Sequence, residues 1–208
     1  DWPDIAPVIQ KAELEAWERG GYLKEEEFAR AVALGLFDYL RKSRSHGYVL
    51  SLSGGADSSA IAALVFLMIR MAVQNIGLDG VKKKMGYIKA IQTCKTPEEM
   101  VGKLLTVMYQ GTENSSDDTF NSAKTLADDI GATFMNININ GLVEAYRGLI
   151  EEQLGRKLSW DSDDLALQNI QARVRAPSIW MLANLNNALL LSTSNRSEAA
   201  VGYATMDG

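Results

Sequence analysis

The chain has 208 residues, a formal net charge of −5 and a single cysteine, Cys94. That length suits one domain with a hydrophobic core, and the acidic balance gives no reason to expect a nucleic acid or an anionic membrane as partner. One cysteine excludes an internal disulfide and a multi-cysteine zinc or thiol-transfer site, so we interpret Cys94 as structural.

Apolar spacing and turn residues predict helices and strands that alternate along the chain. In chain order they are a helix over 25–41, a strand over 48–52, a long buried helix over 58–74, a strand over 104–109, a helix over 117–130, a strand over 133–137, a helix over 141–154, a polar loop over 157–164, a helix over 169–175 and a strand over 188–191. Pro177 is expected to kink or restart the last of these helices. This alternation predicts an α/β fold with a doubly wound parallel sheet and helices on both faces, and ligands bound beyond the carboxyl ends of the strands.

The cellular setting is inferred from what the sequence lacks. No signal peptide is visible, and the most apolar stretch, which starts at Ala60, is too short and too interrupted for a membrane span. We therefore expect a cytoplasmic protein with no membrane partner. The chain opens at Asp1 without a methionine and stops at Gly208 directly after a motif, so both ends are expected to be cuts within a longer protein.

A glycine- and serine-rich loop follows the first predicted strand. Residues 53–59 read SGGADSS, and glycines there allow positive φ and close approach of a ligand to the backbone. The start of the next helix adds free N–H groups and the positive end of a dipole, which together favour phosphate. The loop is not a Walker A motif, and Asp57 fits a magnesium ion shared with phosphates. The plainer alternative is a strand-to-helix turn with Asp57 as the N-cap.

Three motifs in order resemble those of one enzyme family. Residues 53–58 (SGGADS) are similar to the loop of enzymes that split ATP into AMP and pyrophosphate. Residues 165–175 (LALQNIQARVR) resemble the substrate-binding helix of NAD synthetases, and residues 191–198 (LSTSNRSE) with 201–205 (VGYAT) resemble their second nucleotide loop. The sequences of these motifs are most similar to those of the synthetase domain of glutamine-dependent NAD synthetases. We therefore interpret residues 1–208 as such a domain, with an adenine nucleotide alpha hydrolase-like fold.

The resemblance assigns roles to individual residues. The expected ATP-binding residues are Ser51, Leu52, Ser53, Gly54, Gly55, Asp57, Ser58, Ser59 and Thr193. Asp57 and Glu198 are expected to be catalytic and to hold Mg²⁺, and Asn169, Arg173 and Glu198 to contact deamido-NAD. Two alternatives stay open, namely that Glu198 only favours a helix dipole, and that Arg173 pairs with Asp163 or Asp164. Arg175 points elsewhere on the helix and is given no role.

The reaction implied by the resemblance is the ATP-dependent amidation of deamido-NAD to NAD through an acyl-adenylate. Ammonia would come from a nitrilase-like glutaminase domain of the same polypeptide, and a homo-oligomer is expected. Other readings remain, namely a tRNA-modifying adenylase with the same loop, or a nucleotide-binding module without catalysis. The adenylase would usually have a basic surface and paired cysteines, and this chain has neither.

Overall fold

The computed structural model describes residues 13–113, 115–193 and 200. The helices are α1 (Leu23–Ser43), α2 (Ala56–Lys84), α3 (Pro97–Leu104), α4 (Asp117–Ile130), α5 (Asn140–Leu154), α6 (Trp160–Arg173) and α7 (Arg175–Leu185). The strands are β1 (Tyr48–Ser51), β2 (Leu105–Gly111), β3 (Thr133–Asn138) and β4 (Leu189–Leu191), and two short 3₁₀ helices cover Ala16–Arg19 and Lys89–Ile91.

The four strands form one parallel sheet in the order β3-β2-β1-β4. Tyr48 at the start of β1 pairs with Leu105 of β2 on one side and with Leu189 of β4 on the other. The chain therefore winds outward from β1 through β2 to β3 and then returns to the opposite side of β1. This reversal makes the carboxyl ends of β1 and β4 the topological switch point, where ligands bind in open α/β sheets.

Helices cover both faces of the sheet, which confirms the predicted fold class. On one face α1 to α4 build the main core with inward residues of β1 such as Leu50. On the other face Val49 packs with Ile179 and Ala183 of α7, and a smaller cluster joins α5 to α6. The first three residues of β1 are at most 1% exposed. A central parallel strand covered on both faces reads as a continuous apolar run, and the sequence of β1 has that character.

Helix α2 is longer than the predicted 58–74 segment and carries a break at Gly77, where φ is 71°. By length and apolar composition alone it could cross a membrane, but the core helix of a globular domain has the same composition. Here Ala62, Val65 and Met68 are at most 1% exposed and face the sheet.

One further helix was not predicted, and another begins earlier than predicted. Helix α3 was not predicted, although Thr96 accepts a hydrogen bond from the N–H of Glu99 and Pro97 occupies the first turn, which is the pattern of a helix start. Helix α6 begins at Trp160, inside the segment predicted as a polar loop. By contrast α4 has its predicted limits, with Ser116 as the N-cap and Gly131 in the left-handed conformation at its end.

Candidate functional site: the loop after the first strand

The predicted phosphate loop joins β1 to α2 at the carboxyl edge of the sheet. The N–H of Leu52 still donates to the carbonyl of Met108 over 2.9 Å, so the strand pairing continues one residue beyond β1. The chain then turns at Gly54, with φ of 80°, and α2 begins after Gly55. The loop therefore delivers the start of a 29-residue helix to the switch point, as an anion site requires.

Gly54 is required by packing as well as by conformation. An ideal Cβ at this position would lie 2.9 Å from the carbonyl carbon of Thr119 in α4, and closer still to its oxygen. The prediction of positive φ is confirmed for Gly54 alone, because Gly55 is extended with φ of −82° and ψ of 166°. The missing Cβ of Gly54 thus makes room for α4 rather than for a ligand.

Hydroxyl groups brace the loop from within. The buried Ser58 hydroxyl accepts the N–H of Ser53 over 3.2 Å and lies 3.1 Å from the Ser53 hydroxyl. The Ser53 hydroxyl in turn accepts the N–H of Gly55 over 3.2 Å. The Ser59 hydroxyl donates to the carbonyl of Gly55 over 2.8 Å. These bonds hold the loop in one shape, so a bound anion would not have to order it.

Asp57 occupies the second position of α2 and is exposed. Gly55 is the N-cap residue, so the alternative that Asp57 caps the helix is wrong. Within the described residues its carboxylate makes no hydrogen bond and no ion pair, and it stands at the positive end of the helix dipole. It is therefore free to hold a cation over the loop.

Candidate functional site: the cavity between the loop and β4

A cavity of about 210 Å³ lies at the switch point between the ends of β1 and β4. Its polar lining residues are Ser51, Ser53, Ser58, Gln110, Arg175, Ser192 and Thr193. The structure thus brings Ser51, Ser53 and Ser58 together with Thr193, which lies far from them in sequence. The other predicted ATP-binding residues do not line this cavity, namely Leu52, Gly54, Gly55, Asp57 and Ser59. The remaining lining is apolar and includes Leu50, Ile179 and Leu191. Small-molecule sites share this character of a mostly apolar cleft with a few converging polar groups.

Gln110, near the end of β2, forms hydrogen bonds to residues on two sides of this cavity. The sequence alone did not indicate this role. Gln110 is 5% exposed, and its oxygen accepts the Ser51 hydroxyl over 2.9 Å. Its amide nitrogen donates over 2.7 Å to both the carbonyl of Arg175 and the hydroxyl of Ser178. Gln110 therefore connects the strand before the loop to the first turn of α7.

Arg175 was given no role by the sequence analysis, yet it lines the cavity beside the loop serines. Its side chain donates to the carbonyl of Gln171, and it has no carboxylate partner among the described residues. The Arg175 side chain is partly buried, and this burial lowers the pKa of its guanidinium below the ordinary value. A partly desolvated cation without an acid beside it is suited to bind an anionic group of a ligand.

Asn169 and Arg173 lie on one face of α6, as their spacing predicted. The Arg173 guanidinium donates to the Asn169 side-chain oxygen over 2.5 Å. Arg173 is exposed, and neither residue lines the cavity. In the described residues Arg173 forms no ion pair with Asp163 or Asp164, and Asp163 is held by Arg156 over 2.7 and 2.8 Å. Arg173 is thus available to a ligand on the outer side of the site.

Glu198 lies outside the described residues, so its predicted roles in catalysis, metal binding and substrate binding stay predictions. Among residues 13–113, 115–193 and 200, no group of three or more His, Cys, Asp or Glu side chains could hold a metal ion. Any cation at Asp57 would therefore need ligands from elsewhere, such as the phosphate oxygens of a nucleotide.

A family model described as NAD synthase matches residues 28–208. The chain belongs to the NAD synthase family. The glutamine-dependent NAD(+) synthetase of Oryza sativa subsp. indica is 38% identical over 200 residues, which cover 87% of this chain and 27% of the relative. The Homo sapiens protein of the same name is 30% identical over 220 residues, which cover 97% of this chain and 30% of the relative. The crystal structure of a glutamine-dependent NAD(+) synthetase from Cytophaga hutchinsonii is 52% identical with a TM-score of 0.83, covering 89% of this chain and 33% of that one.

Membership of the NAD synthase family confirms the resemblance read from the three motifs and the adenine nucleotide alpha hydrolase-like fold. The chain spans 27% of the length of the rice relative. The motifs gave no indication that Gln110 and Arg175 contribute to the site. Their partners are more than 50 residues distant in sequence or lie across a helix boundary, so no local pattern points to them.

Proposed function

We propose that this chain is the synthetase part of a protein that converts deamido-NAD to NAD with ATP and ammonia, releasing AMP and pyrophosphate. The observation that carries the proposal is the cavity at the switch point, where the SGGADSS loop meets Thr193 in a chain of the NAD synthase family. Family membership favours this reaction over a tRNA-modifying adenylase or a binding module without catalysis.

The chemistry proceeds in two displacements. The nicotinate carboxylate of deamido-NAD attacks the α-phosphorus of ATP, the bond to the β-phosphate oxygen breaks, and pyrophosphate leaves. Ammonia then attacks the acyl carbon of the adenylate, AMP leaves with the bonding electron pair, and the nitrogen loses one proton to give the amide. Neither step needs a covalent bond to the protein, whose contribution is to orient the reactants and to stabilise charge.

Each element of the site has a part in this proposal. The first N–H groups of α2 and the hydroxyl groups of the loop bind the phosphates, and the Arg175 guanidinium contributes a positive charge inside the cavity. Asn169 and Arg173 bind deamido-NAD on the outer side of α6. Because the loop is already braced by Ser58, ATP binds a site whose shape is set in advance.

Magnesium is part of the proposal, and the residues present fit it. Asp57 is an exposed carboxylate without a hydrogen bond or ion pair to another described residue, and a hard oxygen ligand of this kind, completed by phosphate oxygens and water, suits Mg²⁺. When bound, magnesium offsets negative charge on the phosphate oxygens. Glu198 is proposed as the second protein ligand.

Ammonia is proposed to come from a glutaminase elsewhere in a longer polypeptide. Burial raises the pKa of the Cys94 thiol, and Cys94 is only 3% exposed. A nucleophilic cysteine needs the opposite, a lowered pKa and an accessible sulfur. Cys94 therefore supports no glutamine hydrolysis, and its Sγ only approaches the carbonyl of Ala90 at 3.8 Å.

The test is to incubate the protein with ATP, deamido-NAD and ammonium and to identify all products. NAD, AMP and pyrophosphate in equal amounts are expected, whereas ADP and orthophosphate would refute the proposal. A matched pair of variants then tests the metal site. Asp57→Asn is expected to lower turnover by about 10²–10³-fold, and Asp161→Asn, which also removes an exposed carboxylate from the first turn of a helix, is expected to leave it unchanged.

A further inference from the structure

A second cavity, which we call the amino-end cavity, lies at the edge of the sheet opposite to the phosphate loop. It has a volume of about 460 Å³. Its floor is formed by the amino ends of the strands, with Tyr48 of β1, Thr106 of β2 and Thr133 of β3. Cavities of this size accommodate small molecules, and neither the motifs nor the proposed reaction uses this edge of the sheet.

Basic side chains surround the amino-end cavity, and the lysines among them carry a positive charge. His46, Lys89 and Lys103 line it, and its described lining includes no Asp or Glu. Arg44 stands beside them, with its guanidinium carbon 4.7 Å from the ring centroid of Tyr87, another lining residue.

None of these four basic residues forms an ion pair with a residue in the described part of the chain, although nine ion pairs occur there. The formal charge of the whole chain is −5. Acidic partners are thus abundant in this protein, and their absence around the described lining of this cavity is a local feature.

The backbone beside this cavity is also unusual. In the described residues, positive φ occurs at only two residues other than glycine, Arg44 with 62° and Asn187 with 48°. They lie on adjacent turns, since the N–H of His46 donates to the carbonyl of Asn187 over 2.7 Å. Left-handed backbone is disfavoured for residues with a Cβ and is concentrated where the surrounding structure or a function requires it. Both residues lie at helix ends, since Arg44 is the C-cap of α1 and Asn187 follows the C-cap of α7. The two turns bring His46 and Asn186 to the cavity.

Helix dipoles explain some of the basic residues around the amino-end cavity without a ligand. Helices α1 and α3 end at this edge, and a cation near the carboxyl end of a helix interacts favourably with the helix dipole. Arg44 and Lys103 are such cations. His46 lies in the connection between α1 and β1, close to the end of α7. Lys89 begins a 3₁₀ helix, so a helix dipole does not account for its charge.

We propose that the amino-end cavity binds a small molecule with two or more negative charges, carried by phosphate or carboxylate groups. Several separated cations around one cavity favour a multivalent anion over a monovalent one, because each additional charge pair adds to the attraction. The ring of Tyr87 offers an apolar wall beside them, at 6.1 Å from the ring centroid of His46. This site is separate from the ATP site, which lies at the other end of the strands.

His46 is the single histidine of the chain and therefore gives a specific signal for this cavity. The experiment follows the imidazole ring protons by NMR during titration with inorganic phosphate and, in a second arm, with citrate, while sodium chloride at matched ionic strength serves as the blank. His46→Gln identifies the resonances by their loss. Because the ATP site contains no histidine, phosphate that binds there does not produce the signal.

We expect a saturable shift of the His46 ring protons with at least one of the two anions and none with chloride. Lys89→Gln combined with Lys103→Gln should weaken the binding tenfold or more, whereas the control pair Lys24→Gln and Lys83→Gln, which removes the same charge outside the cavity, should not. The two arms distinguish a phosphate from a carboxylate ligand. A shift that chloride reproduces, that never saturates, or that survives in the Lys89 and Lys103 variant overturns the proposal.

Discussion

Replacing Gly54 by alanine tests whether this glycine is required by the fold or by the ligand. At φ of 80° the alanine Cβ costs about 1–2 kcal/mol in the left-handed region. Its overlap with the Thr119 carbonyl adds about 1–3 kcal/mol, the usual cost of overpacking. The carbonyl cannot easily move, because Thr119 is fixed by Ser116 through its N–H and by Tyr109 through its hydroxyl, the latter over 2.9 Å. Gly54→Ala should therefore destabilise the protein by about 2–5 kcal/mol, a large part of the about 5–15 kcal/mol typical of a domain.

Gly55→Ala is the matched control. Gly55 is extended, and an ideal Cβ there would lie 3.3 Å from the Ser53 hydroxyl, a side-chain atom that can turn away. Its stability should change by less than about 1 kcal/mol. Urea unfolding followed by circular dichroism measures the difference, and with a slope of about 1–3 kcal/mol per molar urea the two midpoints should differ by about 0.3 M or more. Equal midpoints would refute the argument that α4 occupies the space of the missing Cβ.

Three further predictions concern single side chains. Gln110→Met keeps the side-chain volume but removes every hydrogen bond of the amide, so we expect a loss of about 1–3 kcal/mol in unfolding free energy. The KM for ATP should rise, because Gln110 no longer positions Arg175. An unchanged KM would contradict that positioning role. Asp57→Asn should lower the unfolding free energy by no more than the about 0.3–1 kcal/mol of a helix-dipole interaction while turnover falls, since its carboxylate has no described partner; a larger loss of stability would indicate a structural role. The pKa of Glu151 is lowered to about 2 by Lys157, the N–H of Leu158 and Arg147, so its stabilising effect is present above about pH 4.5 and is lost as the pH falls towards 2. In Glu151→Gln that part of the acid dependence of unfolding should disappear, and an unchanged pH profile would contradict it.

The parts of the fold that the sequence predicted are those with strong local signals. Helix α4 runs from Asp117 to Ile130 because the hydroxyl of Ser116 caps its start and the left-handed Gly131 satisfies its end, and both signals are readable from sequence. Helix α3 had comparable signals in Thr96 and Pro97. It was missed because its eight residues run directly into β2, so no turn residue marks where the helix ends and the strand begins.

The contacts around Gln110 could not be predicted in the same way. Its three partners are Ser51, Arg175 and Ser178, separated from it by 59, 65 and 68 residues. A glutamine inside an apolar strand indicates only that it needs hydrogen bonds when buried. Which groups supply them depends on the strand order, since β2 lies next to β1, and on the packing of α7 over that face of the sheet.

Arg173 and Arg175 show where helical periodicity ceases to predict direction. Asn169 and Arg173 are four apart within α6, and their side chains meet as that spacing requires. Arg175 is only two residues further, but it begins α7, and Val174 belongs to both helix ends as a cap residue. The direction of its side chain is therefore set by α7, which packs on β1, and not by the face of α6. The boundary between these helices thus separates an exposed arginine, suited to the dinucleotide outside, from a partly buried one inside the cavity, so that one short segment can serve both substrates of the proposed reaction.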